Sequence, residues 1–454
     1  MLQTGWRRNS GEASRNRVGV WSQEGLLATH GLIRTLKKLD GNVKGVVLTE
    51  PLWGIPFNLY APYVSVYMLA LGADDVQIGM IVTMSTVAQV FWTLMAGAIT
   101  DKLGRKRTTL IFDLISWSIP CLIWAVAQNP LYFYVAAFVN AIWRVTDCSW
   151  GCLVVEDTDP DLLVDVWSWI HISGLLAAFV APLSGLVVGR FGLVPTMRGL
   201  YLFSFVMMTA KAVVMNALVT ETTQGRIRMQ ETANEGFFTV LRGLGDVMRQ
   251  IAKSPSTLYV LALMLVLNIA MTVRGSFWSI LASQELGVSD VRLALYPAVR
   301  SVTMLAFFFL GMPRIRRFIA IGERDERLPM IAGFGLAVVS QVILTVVAPG
   351  AEWLLLVATM LEGCSIPLTS TLLQKITATT VDAHERARVM SMLTMAVLVV
   401  SSPFGWLAGR LSAVSRRLPF VLAAVLLSVA AVLTYLASRA AEKESDGRVV
   451  AATG

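Results

Sequence analysis

The sequence predicts an all-α polytopic membrane protein, with twelve transmembrane helices arranged as two six-helix bundles. Composition is the first reason: 55% of the 454 residues are hydrophobic and only 15% are charged, against about 25% charged in soluble domains. Mean hydropathy is +0.64. The second reason is that the apolar residues fall in twelve long runs, each near the roughly 20 residues that cross a bilayer. The third is a polar stretch, residues 222–254, that divides those runs six and six.

The runs cover residues 47–71, 77–100, 108–127, 131–155, 162–188 and 194–219 in the first half. In the second half they cover 256–284, 291–312, 328–347, 352–378, 387–409 and 418–438. We call them spans one to twelve. The expected organisation is an N-terminal extension (1–45), a first bundle (46–221), a linker (222–254), a second bundle (255–440) and a disordered tail (441–454). Residues 24–38 alternate apolar and basic positions at helical spacing, which suits either an interfacial helix or a dispensable extension. The N-terminus has no apolar core and small-residue cleavage site of a secretory signal. In the linker, Phe237, Phe238, Val240, Leu241, Leu244, Val247, Met248 and Ile251 share one helix face. That pattern predicts an amphipathic helix on the membrane surface.

Lys and Arg concentrate in loops on one side of the expected membrane. Lys102, Arg105, Lys106 and Arg107 follow span two; Arg226, Arg228, Arg242 and Arg249 follow span six; Arg314, Arg316, Arg317, Arg324 and Arg327 follow span eight; Arg386 and Arg388 follow span ten. By the positive-inside bias these loops and both termini are cytoplasmic, in the plasma membrane. The net charge of +8 then reflects loop placement, and no nucleic-acid partner is expected. Arg190 and Arg198, with Arg410, Arg416 and Arg417, are exceptions on the opposite side.

An internal repeat supports the two-bundle reading. Gly185-Leu-Val-Val-Gly189-Arg190 closes span five, and Gly405-Trp-Leu-Ala-Gly409-Arg410 closes span eleven, 220 positions later. Each is preceded by a proline, Pro182 or Pro403.

Between spans two and three lies Gly97-Ala-Ile-Thr-Asp101-Lys102-Leu-Gly104-Arg105-Lys106-Arg107. Gly97 is suited to close helix approach, Asp101 to accepting hydrogen bonds at the helix end, and Gly104 to a sharp reversal. The pattern resembles the signature loop of the major facilitator superfamily (MFS) of secondary transporters. The resemblance implies that fold, with its 6+6 pseudo-twofold repeat, and alternating access between the bundles. By the same resemblance Gly97, Asp101, Gly104 and Arg105 are gate-loop positions, and a carboxylate ending span four, Glu156 or Asp157, pairs with Arg105. It also implies that spans one, four, seven and ten line a central path. The superfamily's proton antiporters carry G-P-x-x-G-G in span five, which Ala181-Pro182-Leu-Ser-Gly185-Leu186 matches only by half.

Charged groups in apolar spans are costly, at least about 2.5–3.5 kcal/mol each, so each asks for a reason. Arg144 and Asp147 are three apart in span four, Arg274 is in span seven, Arg300 in span eight and Glu362 in span ten. Arg144–Asp147 and Arg300–Glu362 are expected pairs, as fixed salt bridges or as working groups. Glu362, then Asp147 and His171, are the candidate proton carriers; a lone histidine in an apolar span is also a common packing residue. Arg144, Arg274 and Arg300 are candidate anion-binding groups. Glu50, Asp113, Lys211 and Lys375 lie nearer the cytoplasmic face, where snorkelling or gate pairing is expected.

In span one, Tyr60, Tyr63 and Tyr67 share a face beside Asn58, and Pro51, Pro56 and Pro62 loosen the helix. These, with Asn268 and Trp278, suit either a solute site or helix packing. Cys148 and Cys152 sit at i, i+4 with no accompanying His or second Cys pair, so the four cysteines read as small apolar residues.

The absence of a nucleotide loop, metal-ligand spacing or Ser/His/Asp constellation argues against an enzyme, a cofactor or a metal. The expected function is a monomeric secondary transporter, coupled to protons or another ion, moving a small polar or anionic organic solute such as a sugar derivative or organic acid. Export of apolar or cationic drugs, and a non-transporting sensor on the same fold, are the alternatives.

Overall fold

The computed structural model describes residues 39–159, 162–233, 255–315, 327–380 and 386–453. The expected helices over 24–38 and 237–251 lie outside these residues. Among the described residues, ten helices are long and apolar enough to cross a membrane. The two other spans are broken helices, which brings the set to twelve. Span one runs as Gly41–Tyr60, a tight turn Ala61–Tyr63 and Val64–Ala70. Pro51 and Pro56 lie inside its first piece and Pro62 in the turn, where each removes a backbone donor. Span four runs as Pro130–Asn140 and Trp143–Val155. Span one begins at Gly41, inside the expected extension.

Local sequence explains the ends. Asp74 opens span two, Asp75–Leu103, with a reciprocal capping box to Gln77. Gly104 has φ +82°, a left-handed conformation natural to glycine, and it turns span two directly into span three, Arg105–Ala125. The last helix, Leu418–Thr453, continues through the expected disordered tail. Its Ala440-Ala-Glu-Lys-Glu444 stretch is made of strong helix formers.

The repeated glycine elements are where the bundles meet. A Cβ on Gly185 would run into the Val291 carbonyl at the start of span eight. Its counterpart Gly405 lies against Gly79 and Thr83 of span two, and Gly409 against the Asp75 carbonyl and Gly79. Span five on eight and span eleven on two are the same contact, related by the six-span repeat. The Thr83 hydroxyl donates to the Ser402 carbonyl at 2.8 Å and accepts from the Trp406 N–H at 2.7 Å. Ser412 donates to Asp75 at 2.5 Å, Arg416 lies 3.7 Å from the same carboxylate, and Tyr63 donates to the Asp290 carbonyl at 2.8 Å. These contacts close the bundles together at the face opposite the basic loops.

Three of the five arginines that break the charge bias, Arg198, Arg416 and Arg417, have structural partners there. Arg198 donates to the Ala127 carbonyl at 3.0 Å. Arg417 donates to the Thr345 and Val347 carbonyls, at the end of the ninth span, at 3.1 and 2.9 Å, and pairs with Glu285 at 3.0 Å. A cation at a helix C-terminus is favourable.

Candidate functional site: a basic-face loop and two charge clusters

The gate loop is held by three carboxylates. Arg105 is 4% exposed. Its Nε lies 3.0 Å from Glu156 Oε2 and its Nη2 3.0 Å from Oε1, a bidentate pairing that fixes the guanidinium plane. Its Nη1 donates to Asp101 at 3.0 Å. Asp101 also accepts from Arg228 Nη2 at 2.9 Å, from the short helix Thr223–Glu231 that opens the linker. That hydrogen bond, and then the Asp101 charge, raise the Arg228 pKa further above its ordinary value.

Glu221 is the partner that loop-based reasoning misses. Its Oε1 accepts from the Arg105 backbone N–H at 2.8 Å and its Oε2 from the Lys106 N–H at 3.0 Å, capping the first turn of span three. Thr222 donates to Glu156 at 2.5 Å and caps the linker helix by accepting from the Gly225 N–H at 2.9 Å. Asp157, at φ 59°, accepts from the Thr223 N–H at 2.8 Å. The gate loop, the end of span four and the start of the linker therefore form one clamp. Gly97 departs from expectation: a Cβ there would meet nothing within 4 Å.

In the second bundle, Glu362 joins two arginines. Arg274 Nη1 lies 3.1 Å from its Oε1 and Arg300 Nη1 3.9 Å from its Oε2. The three side chains are 17–28% exposed, so they reach open space without facing it fully. In the first bundle, Arg144 donates to Gln89 at 3.0 Å and lies 3.8 Å from Asp147, whose side chain is 54% exposed. His171 is exposed on span five.

The span-one tyrosines are buried. Tyr60, Tyr63 and Tyr67 are 3%, 0% and 0% exposed; Tyr60 and Tyr67 pack on Tyr201, and Tyr67 donates to the Trp124 carbonyl at 2.9 Å. Asn58 donates to the Gly54 carbonyl one turn back at 2.8 Å. Trp278 packs on Tyr296 at 4.9 Å, and Asn268 is half-buried one turn before Thr272, whose hydroxyl donates to its carbonyl at 2.9 Å. Cys121 is buried and the other three cysteines are half-buried and unbridged.

Glu50, Asp113 and Lys211 do not snorkel. They meet inside the first bundle, with Lys211 Nζ 3.6 Å from Glu50 and 3.9 Å from Asp113. Their positions on spans one, three and six bring them together only through packing.

This fold belongs to a defined class of membrane protein. The Major Facilitator Superfamily model matches residues 53–323, and the chain belongs to that superfamily. It is a multi-pass membrane protein. No curated protein matches it by sequence. Among solved structures it is similar to the nucleoside transporter NupG, with TM-score 0.64 and 16% identity over 88% of this chain and 99% of that one. It is also similar to a POT family transporter in complex with a thioalcohol-conjugated peptide (TM-score 0.66, 11% identity, 90% of this chain and 99% of that one). A third is the human organic anion transporter MFSD10 (TM-score 0.55, 16% identity, 86% of this chain and 98% of that one). Identities this low speak to the fold.

Proposed function

We propose that this protein is a secondary active transporter that moves a small anionic or polar organic solute by alternating access, coupled to protons. It acts in the plasma membrane with both termini in the cytoplasm. The observation that carries the solute class is the Arg274–Glu362–Arg300 cluster, two cations on one carboxylate. With all three ionised it carries one surplus positive charge, and an anionic group satisfies that surplus in a low-dielectric site. The solute's anion takes the place of Glu362 on the two guanidinium groups, and the displaced carboxylate accepts the coupling proton. Arg144 and Asp147, with balanced charges beside Gln89, present a polar surface from the first bundle. The Asp101–Arg105–Glu156 clamp, with Asp157 and the turn at Gly104, is the cytoplasmic gate. The buried tyrosines serve as packing in this scheme. Nucleoside, peptide and organic anion transporters share the fold, which supports transport of a small organic solute.

The test is thermal stabilisation of the purified protein by sugars, sugar acids, organic acids and cationic drugs, at mildly acidic and mildly alkaline pH. A ligand that binds the folded state raises its melting temperature by mass action. Stabilisation by anionic solutes that depends on pH is the expected result. Stabilisation by apolar cations alone would overturn the anionic class and make the arginines structural, in favour of drug export.

A further inference from the structure

We infer that Glu50, Asp113 and Lys211 form a second proton-binding site, in the interior of the first bundle, with Asp113 holding the proton in the resting protein. The inference rests on the proton-coupled reading above and adds a site to it, distinct from Glu362.

Charge counting is the first argument. Two carboxylates share one ammonium, so the fully ionised cluster carries one surplus negative charge. Asp113 lies eight residues into span three, Glu50 nine residues into span one, and Lys211 seven residues before the end of span six. At about 1.5 Å per residue this is roughly 10–14 Å from the basic-face ends of those helices. An uncompensated charge at that depth is costly, and one proton removes it.

Geometry then selects Asp113. Lys211 lies closer to Glu50 than to Asp113, at 3.6 against 3.9 Å. Asp113 is 3% exposed; with Lys211 Nζ 3.9 Å away and the Thr146 hydroxyl beside it, neither carboxylate oxygen accepts a hydrogen bond of normal geometry. Buried carboxylates without a well-formed hydrogen bond are rare in folded proteins, so such a group calls for an explanation. Protonation supplies one: a carboxylic acid carries no charge to compensate and can donate, here toward a side chain that accepts. The charged groups facing Asp113 are Lys211 from span six and Glu50 from span one; span four presents the Thr146 hydroxyl. Glu50, at 13% side-chain exposure against 4% for Asp113, is the more accessible acid and the point of entry.

The backbone beside Asp113 is irregular. A π-helical turn, Leu114–Ser118, follows it, and Asn140 of span four donates to the Ser116 carbonyl within that turn at 2.7 Å. Such turns favour functional positions. The cluster also sits where coupling is useful. Arg105 of the gate is two turns away on the same helix, and Thr146 is adjacent in sequence to Asp147. The Thr109 and Ser149 hydroxyls, 2.7 Å apart, join spans three and four between gate and cluster.

Infrared difference spectroscopy of the reconstituted wild-type protein between acidic and alkaline pH, without added solute, tests this. The probe is the proton itself, and the signal is the carbonyl stretch of a protonated, buried carboxylic acid. The expected result is a band that Asp113→Asn abolishes, Glu362→Gln leaves in place and Asp113→Glu shifts without removing. Asp113→Glu retains the acid, so it keeps the test decisive if the amide variant fails to fold. A band lost in Glu362→Gln and kept in Asp113→Asn would overturn the inference while leaving proton coupling intact. No acid band in the pH difference, and none shifted by H2O-to-D2O exchange at acidic pH, would also overturn it, making the cluster a permanently ionised brace. Because no solute is needed, none of these outcomes bears on the anionic substrate class.

Discussion

The Glu221 carboxylate sits on the first turn of span three, accepting from the backbone N–H groups of Arg105 at 2.8 Å and Lys106 at 3.0 Å. It does there what a capping side chain does for a soluble helix, but from 116 residues away in the chain. The consequence is that the gate loop and the linker cannot move independently while the contact lasts. Anions at a helix N-terminus are stabilising because the donors there are unpaired and the helix dipole is positive.

Glu221→Ala should therefore cost about 0.5–2 kcal/mol of stability, the usual value of a lost cap. It would be read as a lower melting temperature of the purified protein. Glu221→Gln keeps an acceptor and should lose less. Equal melting temperatures for wild type and Glu221→Ala would mean that the cap contributes nothing.

The bidentate pairing of Arg105 with Glu156 predicts that lysine cannot replace arginine. A single ammonium cannot reproduce two parallel hydrogen bonds while also reaching Asp101. With charge-assisted bonds worth about 1.5–3 kcal/mol each, Arg105→Lys should lower solute flux by about tenfold or more, measured in proteoliposomes. Flux at the wild-type rate would remove the gate assignment.

The cluster in the second bundle gives a prediction of opposite sign for neighbouring residues. Arg274→Ala and Arg300→Ala should each abolish stabilisation by the anionic solute. Glu362→Gln should strengthen it, by about tenfold if one charge-assisted bond is released to the solute, and should flatten its pH dependence. A weakened affinity in Glu362→Gln would show that the carboxylate holds the solute directly and does not compete with it.

Much of this architecture is legible in local pattern. Apolar runs, a basic hairpin loop and a repeated G-x-x-x-G-R element are each contained within a few residues or one span, and the helices follow them closely. What is not legible is the pairing of residues far apart in the chain. Glu50, Asp113 and Lys211 look like three separate charges near a membrane surface until spans one, three and six pack. Glu221 carries a weak signal, an acid directly after span six on the basic face, but nothing in its spacing points to Arg105. Periodicity places Tyr60, Tyr63 and Tyr67 on one face without saying whether that face meets a cavity or Tyr201. The same limit applies to glycine: Gly79 and Gly97 read alike in sequence, and only packing distinguishes them.

That distinction is itself testable, because the two glycines lie on the same helix. A Cβ on Gly79 would collide with the Gly405 carbonyl and approach the Gly409 backbone, and neither can give way without separating span two from span eleven. Overpacking of this kind costs about 1–3 kcal/mol, so Gly79→Ala should lower the melting temperature and loosen the closed far face. A Cβ on Gly97 meets nothing within 4 Å, and alanine is favoured over glycine in a helix interior by about 0.5–1 kcal/mol. Gly97→Ala should therefore leave stability unchanged or slightly raised. Cysteine pairs across spans two and eleven, cross-linked in membranes, would report the separation directly. The reverse pattern, with Gly97→Ala damaging and Gly79→Ala silent, would mean that the bundles meet at the basic end of span two and that the far-face closure is not the stable arrangement.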